Sequence, residues 1–63
     1  MLQFIDSNFA EHSIHIANLN NVVSRDAGDK FVLAFHMVGG HMVPVTVDRA
    51  TAQRIFEDLK EVK

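Results

Sequence analysis

The sequence FVLAFHMVGGHMVPVTV, residues 31–47, decides the fold, because two apolar runs rich in β-branched and aromatic residues flank a pair of glycines. Glycine takes the positive φ angles that tight hairpin loops require without a steric penalty. Two such runs joined by a short glycine loop are typical of a β-hairpin. We therefore expect two antiparallel strands that meet at Gly39 and Gly40.

The register of this hairpin decides which side chains are buried, since a slip of one residue moves every side chain to the other face. A two-residue loop of residues 39–40 would leave large apolar side chains on both faces. A three-residue loop of residues 38–40, with Gly40 in the left-handed conformation, gathers most of them on one face. We favour this loop, and the inner face it predicts consists of Phe31, Leu33, Phe35, Met37, Val43, Val45 and Val47.

The opposite face of the hairpin is also apolar in the favoured register. Its predicted members are Val32, Ala34, His36, Val38, Met42, Pro44, Thr46 and Asp48. Pro44 lacks an N–H group, so it belongs at a sheet edge or at a non-hydrogen-bonded position. The last strand is therefore expected to have one free side. Leu2, Phe4 and Val22 are candidates to extend this apolar face.

The segments before the hairpin predict further strands. Residues 2–6 are a candidate edge strand, and residues 13–17 alternate apolar and polar side chains as a half-buried strand does. Residues 22–25 are expected to form another strand. The main sheet would then consist of the hairpin together with strands that precede it in the chain.

Two turn signals separate these strands. Three asparagines within residues 18–21 favour a turn or bulge, with Leu19 pointing inward. Residues 26–29 are a strong turn signal. If that turn contains an extra residue, Val23 faces the core beside Leu33.

A helix is predicted directly after the hairpin. Asp48 is a good N-cap, because its carboxylate can accept hydrogen bonds from the unpaired N–H groups of the first turn. Apolar side chains then recur at helical spacing at Ala52, Ile55, Phe56, Leu59 and Val62. The predicted fold class is α+β: a small antiparallel sheet of three to five strands with one C-terminal amphipathic helix packed on one face. Residues 1–63 are expected to form one domain.

Three sequence pieces precede the amphipathic helix: NVVS at residues 21–24, HMVGG at residues 36–40, and alternating valines at 43, 45 and 47. Together they resemble small uncharacterised bacterial and phage proteins whose pattern is a β-meander with a Gly-Gly hairpin and a terminal helix. The resemblance implies the fold and a bacterial or phage origin. It implies no activity and no functional residue.

Composition excludes several classes of protein. A chain of 63 residues buries only about 60% of its unfolded surface and usually needs a disulfide, a metal or a partner copy for stability. There is no cysteine, so disulfides and cysteine-based zinc sites are excluded. The net charge of −2, without a run of like charges, argues against binding nucleic acid or an anionic membrane surface. The chain has no apolar run that would span a membrane and no signal peptide, so a cytoplasmic protein is expected.

The histidines raise the question of a metal site. There are four of them, His12, His15, His36 and His41. A zinc site needs three or four converging ligands, and the spacing identifies neither the converging histidines nor an acidic ligand to join them. We expect no metal and no cofactor, and a histidine-metal regulatory protein or enzyme is the alternative.

Catalytic signatures are weak. No serine lies in a nucleophile elbow, and the Gly39–Gly40 pair lacks the lysine and the spaced glycines of a phosphate loop. We therefore expect no enzymatic activity. Four basic residues are candidates to line a site for a small anionic ligand between subunits, although a solvated surface is the favoured interpretation: Arg25, Lys30, Arg49 and Arg54.

The apolar second face favours association, since contiguous exposed apolar surface marks an interaction site. Burying a few hundred Å² contributes several kcal/mol at about 25 cal/mol/Å², which is comparable to the stability of so small a domain. We expect a non-enzymatic homo-oligomer, a dimer before larger assemblies. Its predicted contact residues are Val32, Ala34, His36, Val38, Met42 and Pro44. A phage accessory or anti-defence factor that docks on a larger host protein or sequesters a small ligand would fit, and a structural subunit is a further alternative.

Overall fold

The computed structural model describes residues 1–60. Its elements in chain order are β1 (Leu2–Ile5), β2 (Glu11–Ile14), a 3₁₀ turn (Ile16–Asn18), β3 (Leu19–Asp26), β4 (Lys30–Met37), β5 (Met42–Asp48) and α1 (Arg49–Lys60). β1 and β2 form an antiparallel hairpin, and β3, β4 and β5 form an antiparallel meander in that order. The predicted α+β fold, with its C-terminal helix packed on a small antiparallel sheet, is confirmed.

The hairpin of β4 and β5 has the predicted three-residue loop. The Met37 N–H donates to the His41 carbonyl over 2.7 Å, and Phe35 lies opposite Val43. Gly40 has a φ of 91°, in the region that L side chains avoid. The favoured register is therefore confirmed, with the glycine placed where the chain reverses.

The core lies between two layers. One layer is the sheet of β3, β4 and β5, and the other combines the β1–β2 hairpin with α1. The rings of Phe4 and Phe35 stack across the layers with centroids 5.6 Å apart. The buried side chains are Leu2, Phe4, Ile14, Leu33, Phe35, Val45, Val47, Ala52 and Ile55. The predicted inner face of the hairpin supplies four of these, and its remaining members, Phe31, Met37 and Val43, pack partly buried against them.

α1 begins where the sequence predicts. The Thr51 N–H donates to Asp48 Oδ1 over 2.7 Å, which satisfies one unpaired donor of the first turn. Hydrogen bonding from Thr51 holds the pKa of the Asp48 carboxyl below its usual value. Ala52 and Ile55 are buried, with Phe56 and Leu59 partly buried beside them. The predicted helical position Val62 lies outside the described residues.

The prediction that Val23 faces the core is wrong. Val22 is the residue that packs against the core, opposite Phe35, whereas Val23 pairs with Ala34 and is 49% exposed on the other side of the sheet. The Ala27 N–H donates to the Lys30 carbonyl over 2.8 Å, so the turn between them has two residues only. Because the turn contains no extra residue, the alternation of side chains in β3 is the reverse of the expected one.

Leu2 and Phe4 do not extend the second face of the sheet either. They are 1% and 4% exposed, because β1 pairs with β2 in the layer that covers the inner face. Val22 lies on the inner face as well, because the turn after β3 contains no extra residue. The predicted extension by Leu2, Phe4 and Val22 is therefore wrong for all three residues.

The predicted strand over residues 13–17 is wrong in extent. β2 ends at Ile14, and the Asn18 N–H donates to the His15 carbonyl over 3.0 Å in the 3₁₀ turn that follows. The predicted bulge is confirmed, since the pairing of β3 with β4 shifts between Leu19 and Asn21. Leu19 is partly buried against the core, as expected.

Candidate functional site

The side of the three-stranded sheet that points away from the core is the candidate site, and we call it the outer face. Strand pairing arranges its side chains in three rows across β3, β4 and β5. The rows are Asn21–His36–Met42, Val23–Ala34–Pro44 and Arg25–Val32–Thr46. The central row is apolar on all three strands, and each flanking row adds one large apolar side chain.

Exposure identifies this face as an apolar surface in contact with solvent. Val23, Val32 and Met42 are 49%, 36% and 52% exposed. Ala34 is half-buried by its neighbours in the sheet, and Pro44 is exposed. The central row and its two large neighbours therefore form one contiguous apolar strip.

Five of the six predicted contact residues lie on the outer face: Val32, Ala34, His36, Met42 and Pro44. Val38 does not belong to a strand. It lies in the loop between β4 and β5, where its N–H donates to the Asn18 carbonyl over 2.7 Å and its side chain is 65% exposed. Val38 thus borders the outer face at its glycine end, because the three-residue loop removes it from the alternation of the strand.

Pro44 marks a sheet edge, as the sequence predicts. Hydrogen bonds of an antiparallel pair alternate along the strand, and the Met37–His41 bond fixes the alternation for β4 and β5. The backbone groups of residue 44 consequently point away from β4. Because proline has no N–H group, no hydrogen-bond donor is left unpaired there. On the same edge, the Thr46 carbonyl accepts a hydrogen bond from the Ser7 N–H over 2.8 Å. The β5 edge is therefore blunted by a proline and partly covered by the loop after β1.

The histidines are dispersed over the molecule. His12 lies in β2, His15 precedes the 3₁₀ turn, His36 lies on the outer face and His41 lies at the end of the glycine loop. Among residues 1–60, no group of three or more histidine, aspartate or glutamate side chains is placed to hold a metal ion.

A hydrogen-bonded pair in the β1–β2 hairpin was not predicted from the sequence. His12 Nε2 donates to Asp6 Oδ2 over 2.7 Å, and Asp6 Oδ1 accepts from the N–H groups of Asn8 and Ala10 over 2.8 and 3.0 Å. The hydrogen bond from His12, followed by that from Ala10, holds the pKa of Asp6 below its usual value. The His12 ring also stacks on Phe4 at a centroid distance of 5.0 Å. The pair therefore closes the hairpin and ties it to the core.

Phe9 is a second feature that the sequence did not reveal. It occupies the turn between β1 and β2 with a φ of 65° and is 88% exposed. A bulky residue at positive φ is strained, and here the ring gains little burial in return. The only available signal was its position after the turn-forming Ser7 and Asn8.

The basic residues do not converge on one site. The Arg49 guanidinium donates to Asp26 Oδ1 and to the Gly28 carbonyl over 3.2 and 2.6 Å, and it lies 4.8 Å from the centre of the Phe31 ring. Arg54 instead donates to the Gln3 carbonyl over 2.5 Å, next to the other hairpin. These two cations fasten α1 to the turn after β3 and to β1. Of the remaining two, Arg25 lies on β3 and Lys30 lies at the start of β4.

No helix within residues 1–60 is long and apolar enough to cross a membrane. In comparisons with protein-family models, with curated proteins and with solved structures, nothing matched this chain.

Proposed function

We propose that this chain is a non-enzymatic binding protein of the cytoplasm that works as a homo-oligomer through its outer face. The observation that carries the proposal is the contiguous apolar strip of the outer face. It consists of Val23, Ala34, Pro44, Val32 and Met42. Apolar surface of this kind, gathered on one side of a sheet, is typical of interaction sites. Its burial would also supply stabilisation that a core of this size lacks.

The shape of the outer face favours a second copy as the partner. Two sheets stack face to face about 10 Å apart when their side chains are of moderate and complementary height. The centre of the strip is the small Ala34, with Pro44 on one side and Val23 on the other. A two-fold axis that lies in the plane between the two copies, to one side of Ala34, would place this low side chain against higher ones.

The charges of the outer face permit the same contact. Arg25 is the one residue of fixed charge in the three rows and lies on an edge strand, and the Lys30–Asp48 pair at the end of the outer face adds one charge of each sign. His36 is the other titratable member, in the row that also holds Met42. The central row brings no charged group into a two-fold contact, so like charges do not oppose stacking there.

The biological setting that we propose is an accessory role in phage or bacteria. The same apolar strip would dock on a flat surface of a larger host protein, or two copies would enclose a small ligand between them. An anti-defence factor is one such role. These proposals draw on the size of the chain and on its apolar outer face.

Sedimentation velocity at several concentrations tests the association. We expect the wild-type chain to sediment as an oligomer and the Val32→Glu variant to sediment as a smaller species, because the new carboxylate must be desolvated in the contact. Ile5→Glu is the matched control, since Ile5 is 54% exposed on β1 and lies away from the outer face. Equal masses for the wild type and Val32→Glu would contradict the proposal.

A further inference from the structure

The two edges of the three-stranded sheet differ in how they are protected. On the β5 edge, Pro44 supplies no donor and Ser7 occupies the Thr46 carbonyl. On the β3 edge there is no proline and no covering loop among residues 1–60. An unprotected edge strand offers a row of unpaired backbone groups to another strand.

The unpaired groups of β3 can be assigned. The bond between Ala27 and Lys30 fixes the alternation, so residues 21, 23 and 25 direct their backbone toward β4. Val22 and Ser24 direct theirs away from it. Within residues 1–60, neither their N–H nor their C=O groups have a hydrogen-bond partner.

We propose that β3 pairs with β3 of a second copy, antiparallel across a two-fold axis, with Val23 opposite Val23 of the partner subunit. The three strands of each copy then join into one six-stranded sheet. This interface is separate from the stacking of outer faces, and it does not rest on the proposed function.

The pairing is limited to registers in which even-numbered residues of β3 oppose even-numbered residues of the partner strand. The even-numbered residues are those whose N–H and C=O groups point away from β4. Such registers also keep the inner faces of both copies on the same side of the joined sheet. If Ser24 opposed itself, Val22 would oppose the charged Asp26. If Val22 opposed itself, Ser24 would oppose Asn20 at the bulge, where the pairing of β3 is interrupted. The first arrangement places an apolar side chain opposite a charge, and the second loses hydrogen bonds because it extends into the bulge.

The register centred on Val23 avoids these mismatches. It pairs Val22 with Ser24 and Asn21 with Arg25, so no like charges oppose each other across the strands. Each copy contributes the N–H groups of Val22 and Ser24, which gives four hydrogen bonds in the ladder. The ladder ends at the bulge after Leu19 on one side and at the turn after Asp26 on the other.

The second layer leaves room for the partner strand. On the inner side of β3, Ser24 is exposed, and Asp26 is exposed apart from its ion pair with Arg49, so the second layer does not cover the strand between them. An open groove runs there, lined in part by the apolar side chains of Ile16, Leu19, Val22, Phe56 and Leu59. On the outer side, the pairing joins the apolar rows of the two copies through their Val23 side chains.

Amide hydrogen exchange tests the interface directly in the wild-type chain. We expect the amides of Val22 and Ser24 to become protected as the protein concentration rises. The Thr46 amide, which points outward on the blunted β5 edge, is the internal control and should stay unprotected. Fast, concentration-independent exchange at Val22 and Ser24 in an oligomeric sample would overturn the proposal.

Cross-linking tests the register. The chain has no cysteine, so Val23→Cys introduces a single thiol. In the proposed pair the two Cα atoms lie about 4.5 Å apart, within the range of a disulfide. We expect Val23→Cys to form disulfide dimers on mild oxidation, whereas Arg25→Cys should not, because its thiol faces Asn21 of the partner subunit. Equal cross-linking of the two variants would refute the register.

Removal of one donor tests the ladder. Ser24→Pro deletes an outward N–H without affecting the bonds between β3 and β4, and Ser24→Thr keeps it. In the Val32→Glu background, where stacking of outer faces is suppressed, we expect Ser24→Pro to raise the dimer Kd at least tenfold over Ser24→Thr, because two of four hydrogen bonds are lost. Identical dimer Kd values for the two variants, or a monomeric Val32→Glu protein, would exclude edge pairing while leaving the stacking of outer faces to its own test.

Discussion

Asp6 is the side chain that holds the turn of the β1–β2 hairpin. Its carboxylate accepts hydrogen bonds from His12 and from two amides of the turn, and these lower its pKa. A carboxyl whose pKa is lower in the folded than in the unfolded chain stabilises the fold above the unfolded value, 3.8 here. That stabilisation is lost as the pH falls through the folded-state pKa.

Asp6→Asn should therefore lower the free energy of unfolding at pH 7 and have a smaller effect at pH 2.5. The amide keeps an oxygen for the turn, but its NH₂ group replaces the oxygen that accepts the hydrogen bond from His12. Urea unfolding of the wild type and the variant at both pH values measures the difference. Asp29→Asn is the control, since Asp29 is exposed in the turn after β3. A gap between wild type and Asp6→Asn that is unchanged by pH would contradict this role of Asp6.

At the residue scale, the sequence predicted interactions between residues that are close together in the chain. The capping of α1 by Asp48 involves Thr51, three residues later, and was predictable. The bond from His12 to Asp6 depends on the pairing of β1 with β2, which no local pattern revealed. The positive φ of Phe9 was not predictable because aromatic residues avoid that conformation.

At the scale of the elements, the glycine loop carries the register of β4 and β5. A Cβ atom at Gly40 would meet no atom within 4 Å, so any effect of a side chain there comes from the backbone. With φ at 91°, Gly40→Ala should destabilise the fold by about 1–2 kcal/mol. Thermal or urea unfolding measures this, and D-alanine at position 40, which adds the same atom but favours positive φ, is the control. Equal losses for the two forms of alanine would show that the left-handed backbone is not the cause.

The elements that sequence predicted correctly have strong internal patterns. The alternation of apolar side chains in residues 31–47 predicted the register of β4 with β5. The helical spacing of apolar residues after Asp48 predicted the buried side of α1. The side of β3 was mispredicted, because one residue in the turn after Asp26 reverses it. Leu2 and Phe4 were mispredicted because a short apolar strand carries no sign of which layer it joins.

At the scale of the whole molecule, a small core makes each buried side chain important. Phe35 is fully buried and stacks against Phe4 between the layers. Phe35→Ala should cost about 3–5 kcal/mol, a large part of the stability of such a domain. Val38→Ala, at an exposed loop position, should change the free energy of unfolding by less than about 0.5 kcal/mol. Comparable losses in urea unfolding would contradict the two-layer core.

The apolar strip of the outer face was predicted in part, since alternation placed Val32, Ala34, Met42 and Pro44 together. Val23 was missing from the prediction, although it completes the central row. Association links this face to stability, because a partner that binds only the folded chain shifts the folding equilibrium toward it. We therefore expect the melting temperature of the wild type to rise with protein concentration, and that of Val32→Glu to rise less.

Native mass spectrometry of the untagged chain over a range of concentrations tests the central claim most directly. Stacking of outer faces predicts an oligomer of the 7.1 kDa chain whose subunit number falls in Val32→Glu and is kept in Ile5→Glu. A wild-type chain that is monomeric at every concentration, or an oligomer that Val32→Glu leaves intact, would contradict it.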